Sequence, residues 1–253
     1  MITLLLIGIG TGNPDHLTLQ AIKALNRADL VLIPCKGGAK ADLADLRRDI
    51  CATHLSSPAT RLIEFDLPVR DPATPDYADR VNDWHAAIAA TYRDLIARHL
   101  GPQGTVALLV WGDPTLYDST LRIAERLRAI GLPLAVSVIP GLTSLQLLAA
   151  AHAIALNTLA APFLVTTGRR LRDEGIPAEI ETVVVMLDGE NSFRSLPAAV
   201  YDIYWSAYLG LPHELHLSGP LMEIAPQIVT VRASARAEHG WIMDIYLLRR
   251  RTG

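Results

Sequence analysis

Apolar runs recur along the first half of the chain, at Ile2–Ile7, Ala28–Ile33, Thr105–Trp111 and Leu134–Ile139, with a more polar one at Arg61–Phe65. Each is too short for a helix and rich in β-branched or leucine side chains, the pattern of strands buried on both faces. Between them the apolar positions fall at helical spacing. Thr18 is placed to cap a helix running to Leu25, and Ala39–Cys51 repeats at Leu43, Leu46 and Ile50. A long helix is expected over Tyr77–Leu100, with Val81, Trp84, Ile88, Leu95 and Ile96 on one side. Another is expected after Tyr117 and Asp118, carrying Leu121, Ile123, Ala124, Leu127 and Ile130. Pro140-Gly141-Leu142-Thr143-Ser144 turns into an Ala/Leu-rich helix. Strands alternating with helices predict a parallel sheet. The segment Pro68–Pro75 holds three prolines and reads as a loop or lid.

Beyond Pro162 the rhythm changes. Phe163–Thr167, Thr182–Leu187, Tyr201–Leu209 and Trp241–Leu248 read as strands, with helices expected only at Phe193–Val200 and Met222–Ala237. Such a series suits a mixed, largely antiparallel sheet. The expected fold is therefore two α/β domains, residues 1–158 with a mainly parallel sheet and residues 159–253 with a mixed one.

Composition narrows the class. The 253 residues are 50% hydrophobic, enough for sizeable cores. The net charge is −3, and the only basic block is Arg249-Arg250-Arg251, so nucleic acid is not an expected partner. Cys35 and Cys51 are too few and too far apart for a disulfide framework or a zinc site. The eight histidines are scattered, and no metal is expected. The apolar run Leu145–Leu156 is interrupted by Gln146 and His152 and is too short for a bilayer, and Met1–Leu4 lacks a basic leader region. A cytoplasmic protein with no membrane partner is the expectation.

The chemistry concentrates at Val110-Trp111-Gly112-Asp113-Pro114-Thr115-Leu116-Tyr117-Asp118. A carboxylate follows a buried strand there, at the end where open α/β sheets bind ligands. A Gly-Asp-Pro turn is also ordinary connection chemistry, because Asp bonds its own backbone. The loop Gly8-Ile9-Gly10-Thr11-Gly12 after the first strand suggests a dinucleotide site and an NAD-dependent dehydrogenase. The second strand, however, ends Leu32-Ile33-Pro34-Cys35-Lys36 without the ribose-binding carboxylate.

Taken together, Ile7–Asp15 with Leu17-Thr18-Leu19, Gly112-Asp113-Pro114, Pro140–Ser144, Val183–Leu187 and Gly210–Gly219 resemble, in order and over the full length, the tetrapyrrole methylases. These are the S-adenosyl-L-methionine enzymes of sirohaem and cobalamin synthesis. Further stretches, among them Lys36-Gly37-Gly38, Leu46–Cys51, Trp84-His85 and Trp111–Thr120, narrow the resemblance. They point to methylation of precorrin-5 at carbon 1 with release of acetate; a sister methyltransferase is the alternative within the family, and a non-catalytic tetrapyrrole- or cofactor-binding protein the alternative outside it. The resemblance implies a homodimer with the cofactor in the cleft between the two domains, leaving as S-adenosyl-L-homocysteine. The first domain would carry the tetrapyrrole and the Gly-Asp-Pro side of the cleft, and the second would complete the cofactor pocket. Carried over by position, the cofactor residues are Thr11, Trp111, Gly112, Asp113, Leu116, Thr143, Ser144, Leu187 and Leu209. Asp118, Tyr117 and His85 are candidates for the proton chemistry of acetate release, with Asp188 and Glu190 behind them. Lys36, Lys40, Arg47 and Arg48 are candidates for gripping substrate carboxylates.

Overall fold

The computed structural model describes residues 1–35, 42–71, 73 and 76–251. The chain divides into two compact units, Met1–Leu142 and Thr143–Gly253. The division falls ahead of the expected 158/159 position. The reason is helix α5 (Ser144–Ala151), which packs on strands of the second unit.

In the first unit, β1 (Ile2–Gly8), β2 (Leu30–Cys35), β3 (Arg61–Asp66), β4 (Gly104–Val110) and β5 (Leu134–Ile139) form one sheet in the order β3-β2-β4-β1-β5. Every pair is parallel. Along β1 the side chains alternate between two cores. Leu4 and Leu6 face α3 (Tyr77–His99) and α4 (Thr120–Ala129), where Ile88, Tyr92, Ile96, Ile123 and Leu127 meet them. Leu5 and Ile7 face α1 (Leu19–Leu25) and α2 (Asp42–His54), where Ala21, Leu25, Ile50 and Cys51 meet them. Burial on both faces explains why the strands read as unbroken apolar runs. Thr18 caps α1 as expected, its hydroxyl accepting the Ala21 amide at 3.0 Å.

In the second unit, β6 (Phe163–Thr167), β7 (Thr182–Met186), β8 (Tyr201–Ala207), β9 (Leu215–Pro220) and β10 (Asp244–Arg250) form a sheet in the order β6-β7-β10-β8-β9. Only β6 and β7 pair in parallel. The helix α7 (Leu221–His239) lies over Ile203, Trp205 and Tyr246 through Leu221, Ile228 and Ala235, and α5 contacts β8 and β10.

Three local expectations change. Phe193–Val200 is not one helix but two short 3-10 turns, Ser192–Ser195 and Ala198–Val200. Pro197 separates them, lacking an N–H and forcing Leu196 into an extended conformation. A seven-residue helix, α6 (Gly168–Glu174), follows β6, too short to leave a periodic signature. The edge strand β9 is the third change, and Pro220 ends it.

Candidate active site

Three backbone segments meet at the carboxyl ends of β4, β1 and β5. Beyond β1, Gly10 and Gly112 form an antiparallel bridge, the Gly112 N–H reaching the Gly10 carbonyl at 2.7 Å. Gly141, after β5, presses into the same junction. A Cβ on Gly141 would stand 2.3 Å from the Gly112 oxygen, and one on Gly8 would stand 2.5 Å from the Gly141 nitrogen. Neither position admits any side chain. Gly112 is different: its φ of +69° favours glycine, and a Cβ there would meet nothing within 4 Å. The junction is packed shut behind Gly8 and Gly141 and open in front of Gly112.

Asp113 ties the junction together. One carboxylate oxygen accepts the Gly141 amide at 2.8 Å, and the other accepts the Thr115 amide at 2.8 Å and the Thr115 hydroxyl. Burial alone would raise this carboxyl, but the donors from Thr115 and Gly141 outweigh it and hold it below the ordinary value. Both oxygens are thus spent on the protein's own loops. Asp113 shapes the site by fixing the Gly-Asp-Pro turn against the Pro140–Leu142 loop.

The other expected cofactor residues of this unit surround the junction. Thr11 and Gly112 are buried beside it, and Trp111 and Leu116 are half-buried. Tyr117 is 46% exposed and sits at φ +50°, a strained value for an aromatic residue. Asp118 follows, half-buried, with one oxygen accepting the Thr120 amide at 2.6 Å at the start of α4. Its second oxygen has no partner among the described residues.

His85 lies on α3, only 2% exposed, and its Nε2 has no hydrogen-bond partner among the described residues. Burial, followed by the charges of Arg126, Arg122 and Arg70, pushes its pKa down against the weaker pull of Asp118. The ring is a neutral imidazole at pH 7, too deeply placed to touch a bound molecule as it stands.

Of the four expected carboxylate-gripping cations, Arg47 and Arg48 are among the described residues, and they have different surroundings. Lys36 and Lys40 lie outside the described residues. Arg48 is on the surface, paired with Asp45 and Glu64. Arg47 is buried, 8% exposed, and has a structural task. Strand β2 pairs with β4 only as far as Leu32 and Leu108. The Val110 carbonyl turns to the β1 side, where it accepts the Ile9 amide, so that of Leu109 faces the gap left by β2. Arg47 fills that gap, its Nε donating to the Leu109 oxygen at 2.9 Å and its Nη1 to Leu43 at 2.8 Å. Burial lowers its pKa, opposed by Tyr92 and Asp118.

In the second unit, Thr143 caps α5 in a reciprocal box with Gln146, and Ser144 opens the helix half-buried. Leu209 is buried after β8. Leu187 is the unusual one, 66% exposed at φ +55°. The next residue accounts for it. The buried Asp188 carboxylate accepts the Glu190 amide, the Ser192 amide and hydroxyl, and the Tyr246 hydroxyl at 2.7 Å. Gly168 abuts it so closely that a Cβ would lie 2.4 Å from the Asp188 Cγ. Arg232 donates to the Asp188 carbonyl at 2.9 Å and is paired in turn with Asp244 at 2.8 Å. Burial and the Asp188 charge push the Tyr246 phenol well above its ordinary pKa, so it stays a donor. This set pins Asp188 and leaves Leu187 displayed, a relation that spacing alone does not disclose. Glu190, by contrast, is exposed and paired with Arg172.

Within the first unit, the glycine-fronted, backbone-lined ledge at Gly112 leaves room for a ligand to approach the backbone closely.

Residues 3–225 match the family Tetrapyrrole (Corrin/Porphyrin) Methylases. A Sinorhizobium protein named precorrin-6A synthase [deacetylating] is 52% identical over 248 residues, 98% of this chain and 95% of that one. A Sinorhizobium precorrin-2 C(20)-methyltransferase is 35% identical over 148 residues, 56% of this chain and 55% of the other. Among solved structures, a putative cobalamin synthesis related protein (CobF) from Corynebacterium diphtheriae superposes with a TM-score of 0.85 at 39% identity, covering 98% of both chains. A Thermus thermophilus uroporphyrin-III C-methyltransferase complexed with S-adenosyl homocysteine shares the fold at a TM-score of 0.59 and 21% identity. The chain belongs to the tetrapyrrole (corrin/porphyrin) methylase family.

Proposed function

We propose that this protein is a precorrin-6A synthase, methylating precorrin-5 at carbon 1 with S-adenosyl-L-methionine and releasing acetate. The observation that carries the reading is the 52% identity, across 98% of the chain, to a relative bearing that activity in its name. Bound S-adenosyl-L-methionine supplies an electrophilic methyl group on a sulfonium sulfur. The protein's part is alignment, because an in-line displacement is accelerated chiefly by fixed geometry. Gly112 leaves room for close approach, and Asp113 holds the two loops that frame it. In the first unit Trp111 and Leu116 offer apolar surface and Thr11 a small polar group; in the second, Leu187 and Leu209 are the apolar candidates and Thr143 and Ser144 the small polar ones.

In acetate release, water adds to the acetyl carbonyl carbon and gives up a proton. The carbon–carbon bond to the macrocycle then breaks, its electron pair staying on carbon 1, and acetate departs. That pair would form the new bond to the methyl carbon as the methyl–sulfur bond breaks, its electron pair passing to sulfur and S-adenosyl-L-homocysteine leaving. Asp118 suits the proton acceptor, since one carboxylate oxygen is engaged by Thr120 and the other is not engaged among the described residues. Exposed Tyr117 suits a donor to the developing oxyanion. A cytoplasmic homodimer belongs to the same reading, and light scattering on the purified protein tests the dimer.

Single-turnover incubation with methyl-labelled S-adenosyl-L-methionine and precorrin-5 tests the reaction. Labelled macrocycle and acetate are expected in equal amounts. Label without acetate would reassign the protein to a sister methylation, and tight cofactor binding with neither product would remove precorrin-5 as substrate.

A further inference from the structure

Three arginines that share no sequence motif converge in the first unit. Arg70 follows β3 at the carboxyl edge of the sheet and lies over the Trp84 ring, 4.2 Å from its centroid. The Trp84 Nε1 donates to the Pro68 carbonyl at 2.6 Å, which pins that segment to α3. Arg122 stands in the first turn of α4, its Nη1 donating to the Asp118 carbonyl at 3.3 Å. Arg126 stands one turn further on, its Nη2 donating to the Asn82 side chain at 2.9 Å. Asn82, Trp84 and His85 are neighbours on α3, and all three guanidinium charges act on the His85 ring.

Each guanidinium is held by a neutral partner: an indole, a backbone carbonyl, a side-chain amide. None of the three forms an ion pair with a described carboxylate. Arg48, Arg93, Arg170 and Arg172, elsewhere on the surface, do form such pairs. Gathering like charges is unfavourable without an anion to answer them. The guanidinium groups are therefore positioned in advance, with their bidentate carboxylate-binding capacity unspent. Arg70 and Arg122 follow β3 and β4 at the edge where α/β sheets meet their ligands, and Trp84 adds an aromatic surface beneath Arg70.

We infer that Arg70, Arg122 and Arg126 form a carboxylate-binding face that grips acidic side chains of a macrocyclic polycarboxylate. This rests on the proposed tetrapyrrole substrate, and it moves the cationic contact away from Arg47 and Arg48.

The test uses the full chain with uroporphyrin I, an octacarboxylate macrocycle, and with its octamethyl ester, titrated by fluorescence. Single Arg→Gln changes at positions 70, 122 and 126 are expected to weaken uroporphyrin binding about threefold each. The triple variant should weaken it about 30-fold, the scale of solvent-exposed charge pairs. Binding of the ester and of S-adenosyl-L-homocysteine should stay within about twofold of wild type. Arg98→Gln, at the far end of α3, removes the same charge and should change nothing. Proton NMR of the His85 ring gives a readout that a merely structural role would not move. Its pKa should rise in the wild type when uroporphyrin binds, and that binding-linked rise should be lost in the folded triple variant. Unchanged uroporphyrin affinity in a folded triple variant overturns the inference, and so does equal weakening by Arg98→Gln. Wild-type turnover of precorrin-5 is scored separately: its absence would defeat the reaction assignment while leaving a cationic face that binds uroporphyrin.

Discussion

Glycine and aspartate do different work at the carboxyl end of the first sheet. Gly141 is required for space, because its missing Cβ lets the loop lie against the Gly112 oxygen. Gly141→Ala forces the loops apart, and overpacking of this kind costs about 1–3 kcal/mol. The expected result is a lower unfolding midpoint in urea together with a loss of S-adenosyl-L-homocysteine affinity by calorimetry. Gly112→Ala meets only backbone strain, so it should lose less stability and still lose affinity, as the methyl group projects into the open side. Asp113 is required for its charge. Its carboxyl is depressed in the folded state, so its stabilisation is complete above the ordinary value of 3.8 and is lost as the pH falls through the folded value. Asp113→Asn should therefore cost about 1–3 kcal/mol at pH 7, the penalty for buried donors left poorly matched. The gap between wild type and variant should close as the pH is lowered below about 4. A constant gap across pH would show that shape, and not charge, is what Asp113 supplies.

At the scale of elements, the parallel sheet was legible because its strands are buried on both faces and end in glycine-bearing turns. Leu134–Ile139 is read to the residue, and Tyr77–Leu100 differs from α3 by one position. Short elements were not legible. The helix α6 buries one leucine, Leu171, and the strand β9 is a six-residue edge whose alternating Leu215 and Leu217 are only half-buried. The site divides in the same way. Gly112, Asp113 and the Pro140–Ser144 loop are contiguous motifs and could be read. The Arg70, Arg122 and Arg126 convergence is a product of packing between α3, α4 and the segment after β3, and no spacing discloses it. Arg47 shows the converse: a charge beside another charge suggests a ligand contact, and the structure adds buried bonds to the Leu109 and Leu43 carbonyls that the sequence does not disclose. Its burial follows from the splaying of β2 from β4, an element-scale event. Arg47→Met keeps much of the packing volume but leaves the Leu109 carbonyl without its donor, and should cost about 1–3 kcal/mol in urea unfolding. Arg48→Gln should leave the midpoint in place. If Arg47→Met kept full stability and raised only the KM for the macrocycle, Arg47 would be a substrate contact after all.

The whole molecule sets up an electrostatic contest. Its net charge is −3, so a polycarboxylate is repelled at long range, while the arginine face attracts it locally. Added salt weakens both effects, with a screening length of about 8 Å at 0.15 M, so the sign of the salt response identifies the larger. If net charge governs, affinity for uroporphyrin improves as salt is added. If the arginine face governs, affinity falls, because the attraction being screened exceeds the repulsion being relieved. The expected result is a dissociation constant that rises several-fold between 0.05 and 0.5 M potassium chloride, with S-adenosyl-L-homocysteine affinity nearly flat. Replacing Arg70, Arg122 and Arg126 by Gln takes the net charge from −3 to −6. The slope should then flatten or reverse, since local attraction is removed while repulsion grows. A wild-type slope that already favours binding at high salt would mean that the three guanidinium groups do not meet the macrocycle's carboxylates.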